Sequence, residues 1–419
     1  MKKNTNSLYI IFICMLLLGT ALRFTLLNVF VHDNSIESFE YDDIAKNIVS
    51  GRGYLFDYRG MTYRSYGPPL YPFLIAAVYS FFGVKAVSII CFQILLSALI
   101  PFVIFSIASS ITNLRNSVTA AILSLFHPGL ILYSTKKIHA LILDALMFSL
   151  TLLFILRLRD RPSFKKICAL ALIFGLTALS RPSIFAVFPF ALIWFWLMWK
   201  QGFWSKVLNI VLLILITALP ISGWAARNYI LHKRFVMITT CDSEVFWRGN
   251  NPFATGTSFK EDGSAVLESD RAAYEKSKAM TEIERRDFFR KEAVTFIKKN
   301  PTKFISLYLR KLCYFWWFSP SSGIRYSHRY LFTYKIFYSL VIAFSMIGVI
   351  CLFANSDPKT LKNVYMLLST LIAISLFQSL YYIEGRHRWS IEPILLIFSS
   401  IGIGYLASRL KKVDAQTNL

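Results

Sequence analysis

Apolar runs of about 18 to 25 residues recur along this chain, each the length a helix needs to cross a bilayer. Within a bilayer the backbone has no water to bond to, so a spanning segment must be a helix or part of a closed barrel. Barrel strands are short and alternate in polarity, whereas these runs are long and unbroken. Hydrophobic residues fill 55% of the 419 positions, more apolar side chain than a water-soluble domain of this length has use for. The fold class is therefore read as an all-α polytopic membrane protein. It should have about ten transmembrane helices, juxtamembrane helices and a partly helical outer domain.

The spans are expected at roughly 8–30, 85–110, 115–134, 138–157, 167–180, 182–200, 206–226, 336–354, 361–381 and 391–408. The apolar stretch 69–83 is too short for a crossing and reads as a juxtamembrane or re-entrant helix. Only Ser180-Arg181-Pro182 separates the fifth and sixth spans, so these two also read as one bent hairpin.

Lys and Arg in short loops set the orientation. With both termini cytoplasmic, the inner set is Lys2, Lys3, Arg115, Arg157, Arg159, Arg161, Lys165, Lys166, Lys200, Lys206, Lys359, Lys362, Arg409, Lys411 and Lys412. The opposite loops are poor in such residues, with Lys136, Lys137 and Arg181 as exceptions. The chain then divides into an N-terminal transmembrane catalytic module (1–226) with an acidic first outer loop (31–68), an outer segment (227–335) and C-terminal transmembrane helices with a short cytoplasmic tail (336–419). This is the layout of a multi-pass protein of the cell membrane. The N-terminal apolar run reads as the first span rather than a cleaved leader, because apolar sequence continues past Gly19-Thr20-Ala21 to Val31. Arg23, near the outer end of that span, reads as a snorkelling side chain.

In the outer segment, Thr281-Glu282-Ile283-Glu284 reads as a capping box opening a helix that ends at Asn300-Pro301. A second helix, capped by Thr302, should run to about Phe318. It mixes Phe304, Ile305, Leu309 and Trp316 with Lys303, Arg310 and Lys311, a pattern suited to the headgroup level of a membrane. Cys241 and Cys313 both fall in this segment, where a disulfide is chemically permitted. The remaining cysteines show no metal-ligand spacing.

The chemistry concentrates in the first outer loop. Glu37, Glu40, Asp42 and Asp43 stand within seven residues of a chain that carries 46 Lys and Arg against 23 Asp and Glu. An acidic cluster at a membrane surface, in a cationic protein, suits a base working beside an anionic lipid-borne substrate. Asp42 and Asp43 also read as the acidic first turn of a short helix. The positive charge is assigned to membrane lipids or substrate, with no nucleic-acid partner.

The order of motifs resembles the GT-C class of multi-spanning glycosyltransferases that take sugars from polyprenyl-phosphate carriers, which includes the lipid A aminoarabinose transferases and protein O-mannosyltransferases. The residues that carry it are Glu37 four before Tyr41, Gly51-Arg52-Gly53-Tyr54, Tyr66-Gly67-Pro68-Pro69-Leu70-Tyr71-Pro72, and Leu179-Ser180-Arg181-Pro182. They continue with Pro220 through Trp224 to Arg227-Asn228-Tyr229, Gly249-Asn250-Asn251-Pro252, Asn300-Pro301 with Lys311, and Arg386-His387-Arg388 through Pro393. Two positions depart from the family pattern: Glu37 stands where Asp is usual, and Gly67 where a Lys often precedes the paired prolines.

The resemblance implies transfer of a sugar from a polyprenyl-phosphate donor to a lipid, glycan or protein acceptor on the outer face; no cofactor is assigned, and the residues themselves show no metal site, since Asp42 and Asp43 lack a spaced third ligand. Glu37 is the first candidate for the base, with Asp42, Asp43 and Glu40 as the others. Arg64, Tyr66, Arg181, Arg227, Asn250, Arg386 and Arg388 form the candidate set for the lipid phosphate and sugar. Arg181 also reads as a plain snorkelling arginine. Rival readings are a polymerase or ligase of surface polysaccharide and a transporter or flippase of lipid-linked sugars. Asp144, an acid within the fourth span, favours the transporter unless it bonds to a neighbouring helix.

Overall fold

The computed structural model describes residues 2–160, 162–260, 262–323 and 326–417; Arg161, counted above among the inner cations, lies outside the described residues. The chain opens with α1 (Lys2–His32), a two-residue strand β1 (Glu37–Ser38) and α2 (Glu40–Val49). A hairpin of β2 (Phe56–Tyr58) and β3 (Met61–Tyr63) follows, then α3 (Leu70–Phe82), α4 (Ala86–Ala108), α5 (Leu114–Leu125) and α6 (Pro128–Thr135). Strand β4 (Lys137–Ile138) precedes α7 (Leu141–Arg157), α8 (Phe164–Ser180), α9 (Phe188–Met198) and the long α10 (Phe203–His232). Five helices lie between α10 and the next long one: α11 (Asp242–Arg248), α12 (Val266–Ser269), α13 (Arg271–Lys278), α14 (Glu282–Lys299) and α15 (Pro301–Trp316). The chain ends with α16 (His328–Asn355), α17 (Pro358–Gln378) and α18 (Glu392–Thr417).

Helices stand where the ten apolar runs were read, but they are unequal. Among the described residues, six are long and apolar enough to cross a membrane, and the bent pair of α5 and α6, turned by 46°, gives a seventh. The bend falls at His127-Pro128, where the proline takes the first turn of α6 and the His127 side chain accepts the Leu130 N–H at 3.1 Å. Helices α7 and α8 have 17 residues each, a rise of about 25 Å, short of the roughly 30 Å apolar core of a bilayer. Arg181 and Pro182 end α8, and a 3₁₀ turn over Pro182–Ala186 leads into α9, an 11-residue helix. The chain is a multi-pass helical membrane protein. Arg23 does not snorkel: it is 2% exposed and donates to the Gly19 carbonyl at 2.9 Å.

Where helices cross closely, glycine permits it. A Cβ at Gly348 of α16 would overlap the Phe398 carbonyl, and one at Gly402 of α18 would overlap that of Phe344. A Cβ at Gly175 of α8 would meet Pro220 and the Thr217 carbonyl of α10 within 2.7 Å. Apolar helices in lipid gain little from hydrophobic burial against one another, so close backbone approach supplies much of their packing.

The segment between α10 and α16 has a small core of its own, built from Trp247, Leu267, Phe289 and Ala293. The capping box at Thr281 and Glu284 is present. Helix α15 begins two residues earlier than read, with Asn300 as N-cap and Pro301 in the first turn. Its exposed Ile305 and Leu309, with Trp317 beyond its end, fit a helix at the headgroup level. Cys241 and Cys313 are free thiols. Two small β-ladders were not anticipated. One is the hairpin of β2 and β3, whose two-residue turn, Arg59-Gly60, has positive φ at both positions. The other is the parallel pairing of β1 with β4, which carries the acidic loop.

Because the α16–α18 crossing has no room for side chains, Gly402→Val is expected to destabilise the protein by about 1–3 kcal/mol as an overpacked site. Thermal unfolding in detergent, compared with wild type and an exposed control such as Gly202→Ala, checks this.

Candidate functional site

The acidic loop is tied down by backbone pairing before its side chains act. In the parallel ladder Glu37 lies opposite Lys137, and the Glu37 N–H donates to the Lys136 carbonyl at 2.8 Å. The Glu37 carboxylate then meets the Lys137 ammonium at 2.6 Å and that of Lys136 at 3.5 Å. Its side chain keeps 42% exposure, so it is open to a reactant while its position is held.

The other acids divide by role. Asp42 is buried, and both of its oxygens are occupied: it accepts from Ser38 and Tyr79 and pairs with Lys46 at 2.7 Å. It fastens α2 to α3, leaving its carboxylate few free lone pairs for a proton from substrate. Asp43 lies on the exposed side of α2, away from that anchor. Glu40 opens α2 and lies within electrostatic reach of Tyr41, Tyr54, Tyr66 and Cys241. Tyr41 packs edge-on against Tyr71 and His139, and burial, reinforced by Glu40 and Asp144, holds its hydroxyl well above the usual tyrosine range.

The cations of the site come from three distant parts of the chain. Lys137, only 7% exposed, sits over the rings of Tyr133 and Tyr326 at 5.4 and 5.5 Å. Arg386 lies within electrostatic reach of the same two tyrosines and pairs with Glu384 at 2.9 Å. His139 lies within reach of Arg386, Arg181, Lys137 and His387. Arg248, at the end of α11, pairs with Glu244 and lies within electrostatic reach of Tyr66 and Tyr382, and its Nε–H is buried with no acceptor among the described residues. Lys137 thus links Glu37 to the Tyr133 and Tyr326 rings, and Tyr41 lies within electrostatic reach of both Glu40 and Arg386.

The remaining predicted residues frame this region or lie beside it. Arg181 is no snorkeller: it pairs with Asp144 at 3.1 Å and donates to the His387 carbonyl at 3.2 Å. Asp144 also accepts from Ser180 at 2.6 Å, so its partners are on the neighbouring helix α8. Asn250 is fully buried and bonds the Phe246 and Leu380 carbonyls at 2.8 and 2.7 Å. Lys311 reinforces this brace, donating to Gly249 O and Asn250 Oδ1 at 3.0 Å and to Leu380 O at 3.3 Å. A Cβ on Gly249 would meet the Tyr381–Tyr382 backbone at 2.7 Å, which explains glycine at that contact. Arg64 and Arg227 belong to an adjoining cluster. Arg227 stacks on Trp224 at 4.6 Å and donates to Arg64 O at 2.6 Å, while Glu282 accepts the Arg64 and Ser65 N–H groups at 2.7 and 3.0 Å. Tyr66, whose carbonyl accepts from the Cys241 N–H at 3.4 Å, connects the two clusters.

Arg388 departs most from expectation. Two residues beyond Arg386, it is 1% exposed, lies 3.9 Å above the Tyr338 ring and bonds to Glu392 at 2.8 Å and Phe315 O at 3.2 Å. Glu392 in turn meets His127 and Tyr334. This network lies inside the bundle, and its Tyr334 also lines a cavity with Phe318, Tyr326 and Glu384. Sequence reasoning passed over Lys137 and Arg248 as site residues. Lys137 did carry a signal, since it broke the charge asymmetry of the loops, and so did Lys136 and Arg181. Among the described residues no group of three or more His, Cys, Asp or Glu could hold a metal ion.

Breaking a buried ion pair leaves a charge without compensation, at a cost of about 3–5 kcal/mol. Arg388→Met and Glu392→Gln should therefore unfold well below wild type in a detergent melt, whereas Arg386→Lys should stay close to it. Burial without a carboxylate lowers the Lys311 ammonium from the usual lysine range to about 7. Between pH 7 and 10.5 the unfolded chain then binds the proton that the folded one releases, so this lysine makes stability rise with pH by up to about 1.4 kcal/mol per unit. Lys311→Met should flatten that slope. An unchanged slope would show that the lysine is not depressed.

A family model matches part of the sequence, and solved structures match the fold. Residues 66–224 match the model of the dolichyl-phosphate-mannose-protein mannosyltransferase family. No curated protein matches the sequence. The fold is similar to that of the oligosaccharyltransferase of Archaeoglobus fulgidus in the apo form, with TM-score 0.59 at 15% identity, covering 97% of this chain and 52% of that one. The same enzyme, AglB, in complex with an inhibitory peptide and a dolichol-phosphate gives 0.55 at 14% identity, over 97% and 51%. ArnT from Cupriavidus metallidurans, bound to undecaprenyl phosphate, gives 0.41 at 12% identity over 92% and 77%. The chain spans about half the length of the oligosaccharyltransferase. In sequence over residues 66–224 and in fold, the chain resembles the GT-C class of membrane glycosyltransferases that use polyprenyl-phosphate sugars.

Proposed function

We propose that the protein is a glycosyltransferase that moves a sugar from a polyprenyl-phosphate carrier to a lipid, glycan or protein acceptor at the outer face of the cell membrane. The observation that carries this reading is Lys137, which pairs with Glu37 and lies over the Tyr133 and Tyr326 rings, themselves within electrostatic reach of Arg386. Arg386 has Glu384 and Glu37 has its lysines, so the half-exposed carboxylate and the guanidinium are not fused into one ion pair, which supports the reading. The dolichol-phosphate bound to the archaeal oligosaccharyltransferase supports the choice of carrier.

In this mechanism the acceptor hydroxyl attacks the anomeric carbon as Glu37 takes its proton, and the bond from that carbon to the phosphate oxygen breaks. Arg386 meets the charge that grows on the leaving phosphate, in a site where apolar walls strengthen the attraction. Arg248, with its free Nε–H, is a second donor for phosphate or sugar oxygens. Asp42, Asn250, Lys311 and Arg181 hold the loops that present these groups. Glu40 is the alternative base, being the other acid close to Tyr41. A flippase would need polar groups available at the middle of the membrane, and Asp144 is committed to Ser180 and Arg181 instead.

Transfer of labelled sugar from a polyprenyl phosphate by the purified protein in liposomes tests the proposal. Loss of a positioned base should slow Glu37→Gln by about 10²–10⁴-fold while labelled donor still binds. Arg386→Ala should lose turnover, with Arg386→Lys recovering only part of it, because lysine lacks the bidentate fork. Labelled donor that crosses the bilayer uncleaved would contradict the transferase reading. Normal turnover in Glu37→Gln with loss in Glu40→Gln would move the base to Glu40.

A further inference from the structure

A second recess lies at the opposite end of the helices that carry the site. Helix α7 begins beside His139 and ends at Arg157; α17 ends before the Arg386 turn and begins at Pro358; α4, packed on α7, runs to Ala108. The far ends of these three helices enclose a cavity of about 480 Å³ lined by Ser106, Ser109, Ser110, Arg157, Lys359 and Thr360, among others.

The charges of this recess are arranged around one unmet cation. Arg159 forms the floor, donating through Nε and a terminal nitrogen to Asp160, both at 2.9 Å, and through Nη1 to Asn363 Oδ1 at 2.7 Å. Asp357 is spent on the start of α17, accepting from the Lys359 and Thr360 N–H groups at 2.8 and 3.1 Å and from the Thr360 hydroxyl at 2.7 Å. Lys359 stands 3.8 Å from Asp160 and is 71% exposed. Arg157 is exposed and, among the described residues, has neither hydrogen bond nor ion pair. Among the described residues, Asp160 and Asp357 stand against Arg157, Arg159, Lys359 and, beside Asp160, Lys200, so positive charge is in excess at this polar hollow.

The approach to the hollow is apolar. Leu95, Leu99 and Phe102 of α4 are 60%, 50% and 44% exposed, and at spacings of four and three they form one stripe along the helix. The same stripe continues through Ser106 and Ser109 at the rim of the recess. An apolar track that ends in hydroxyls and a free arginine is the outline of a lipid, with chain along the helix and headgroup at its end. A soluble anion has no use for the track. Basic pockets between transmembrane helices recognise anionic headgroups in this way.

We propose that this recess binds the phosphate of an anionic glycerophospholipid, with Arg157 and Lys359 holding the headgroup and an acyl chain lying on the Leu95–Leu99–Phe102 stripe. The site is separate from the one proposed for transfer, and its test does not depend on any activity.

The experiment is native mass spectrometry of the full-length protein in detergent, titrated with phosphatidylglycerol, phosphatidylcholine or sodium phosphate. Wild type should retain one phosphatidylglycerol in preference to phosphatidylcholine. Each cation at a membrane surface contributes enough that Arg157→Gln should weaken retention about five-fold, and Arg157→Gln with Lys359→Gln about thirty-fold. All of these positions are exposed, so the variants should melt as wild type does. Leu99→Gln with Phe102→Gln should weaken the lipid without altering displacement by phosphate. Undiminished phosphatidylglycerol in the double cation variant would overturn the proposal. So would sodium phosphate displacing the lipid at equal concentration while the stripe variant binds normally, since that pattern belongs to a free-anion site.

Discussion

An arginine and a glutamate cannot both be 1% exposed inside an apolar bundle unless each compensates the other. Arg388 and Glu392 do so at 2.8 Å, and His127, Tyr334 and the Phe315 carbonyl take up further capacity. The interaction is as much a constraint as a source of stability, because separating the pair costs more than forming it gains. Its members come from the bend between α5 and α6, the end of α15, the start of α16 and the turn before α18. Once they meet, the Gly385–Arg388 turn has one place to lie, and Arg386 is directed to the Tyr133–Tyr326 wall. The site is assembled around a fixed turn.

A second set of ties adjusts the same turn from other sides. Arg181 reaches it from α8 through the His387 carbonyl, and is itself held by Asp144. Lys311 and Asn250 fix the residues just before it through Leu380 O. On the other wall, the Glu37–Lys137 ladder and the Asp42–Tyr79 contact hold the acidic loop. Candidate chemistry and scaffold thus interleave residue by residue, and most of the polar groups near the site serve to position a few others.

The helical, membrane-spanning character was legible because it rests on apolar run length, which a bilayer enforces. The count of spans was less so. A run such as 115–134 looks continuous in composition, yet His127-Pro128 breaks it, and the 17-residue helices read like full spans until their neighbours are seen. In the site, Glu37 was legible by its place in a motif, but its lysine partners are 100 residues away in sequence. Lys136 and Lys137 were visible only as misfits in the charge asymmetry, and Arg181 also by its place in a motif; all three turn out to pair with Glu37 or Asp144. Arg386 and Arg388 could not be separated in advance. On a 3₁₀ turn, residues two apart point about 240° from one another, so one faces the site and the other the core. Which does which depends on Glu392, Tyr334 and Tyr338, and so on tertiary packing.

The claim at the centre of this account is that one region, bordered by Glu37 and Arg386, takes the lipid phosphate. The most direct measurement is an experimental structure of the protein with a polyprenyl phosphate bound. The account predicts phosphate oxygens at about 2.8 Å from the Arg386 guanidinium, as expected for a charge-assisted bond, with the Glu37 carboxylate facing the same cavity. A phosphate held instead by Arg64 and Arg227 in the adjoining cluster, with Arg386 still closed on Glu384, would contradict it.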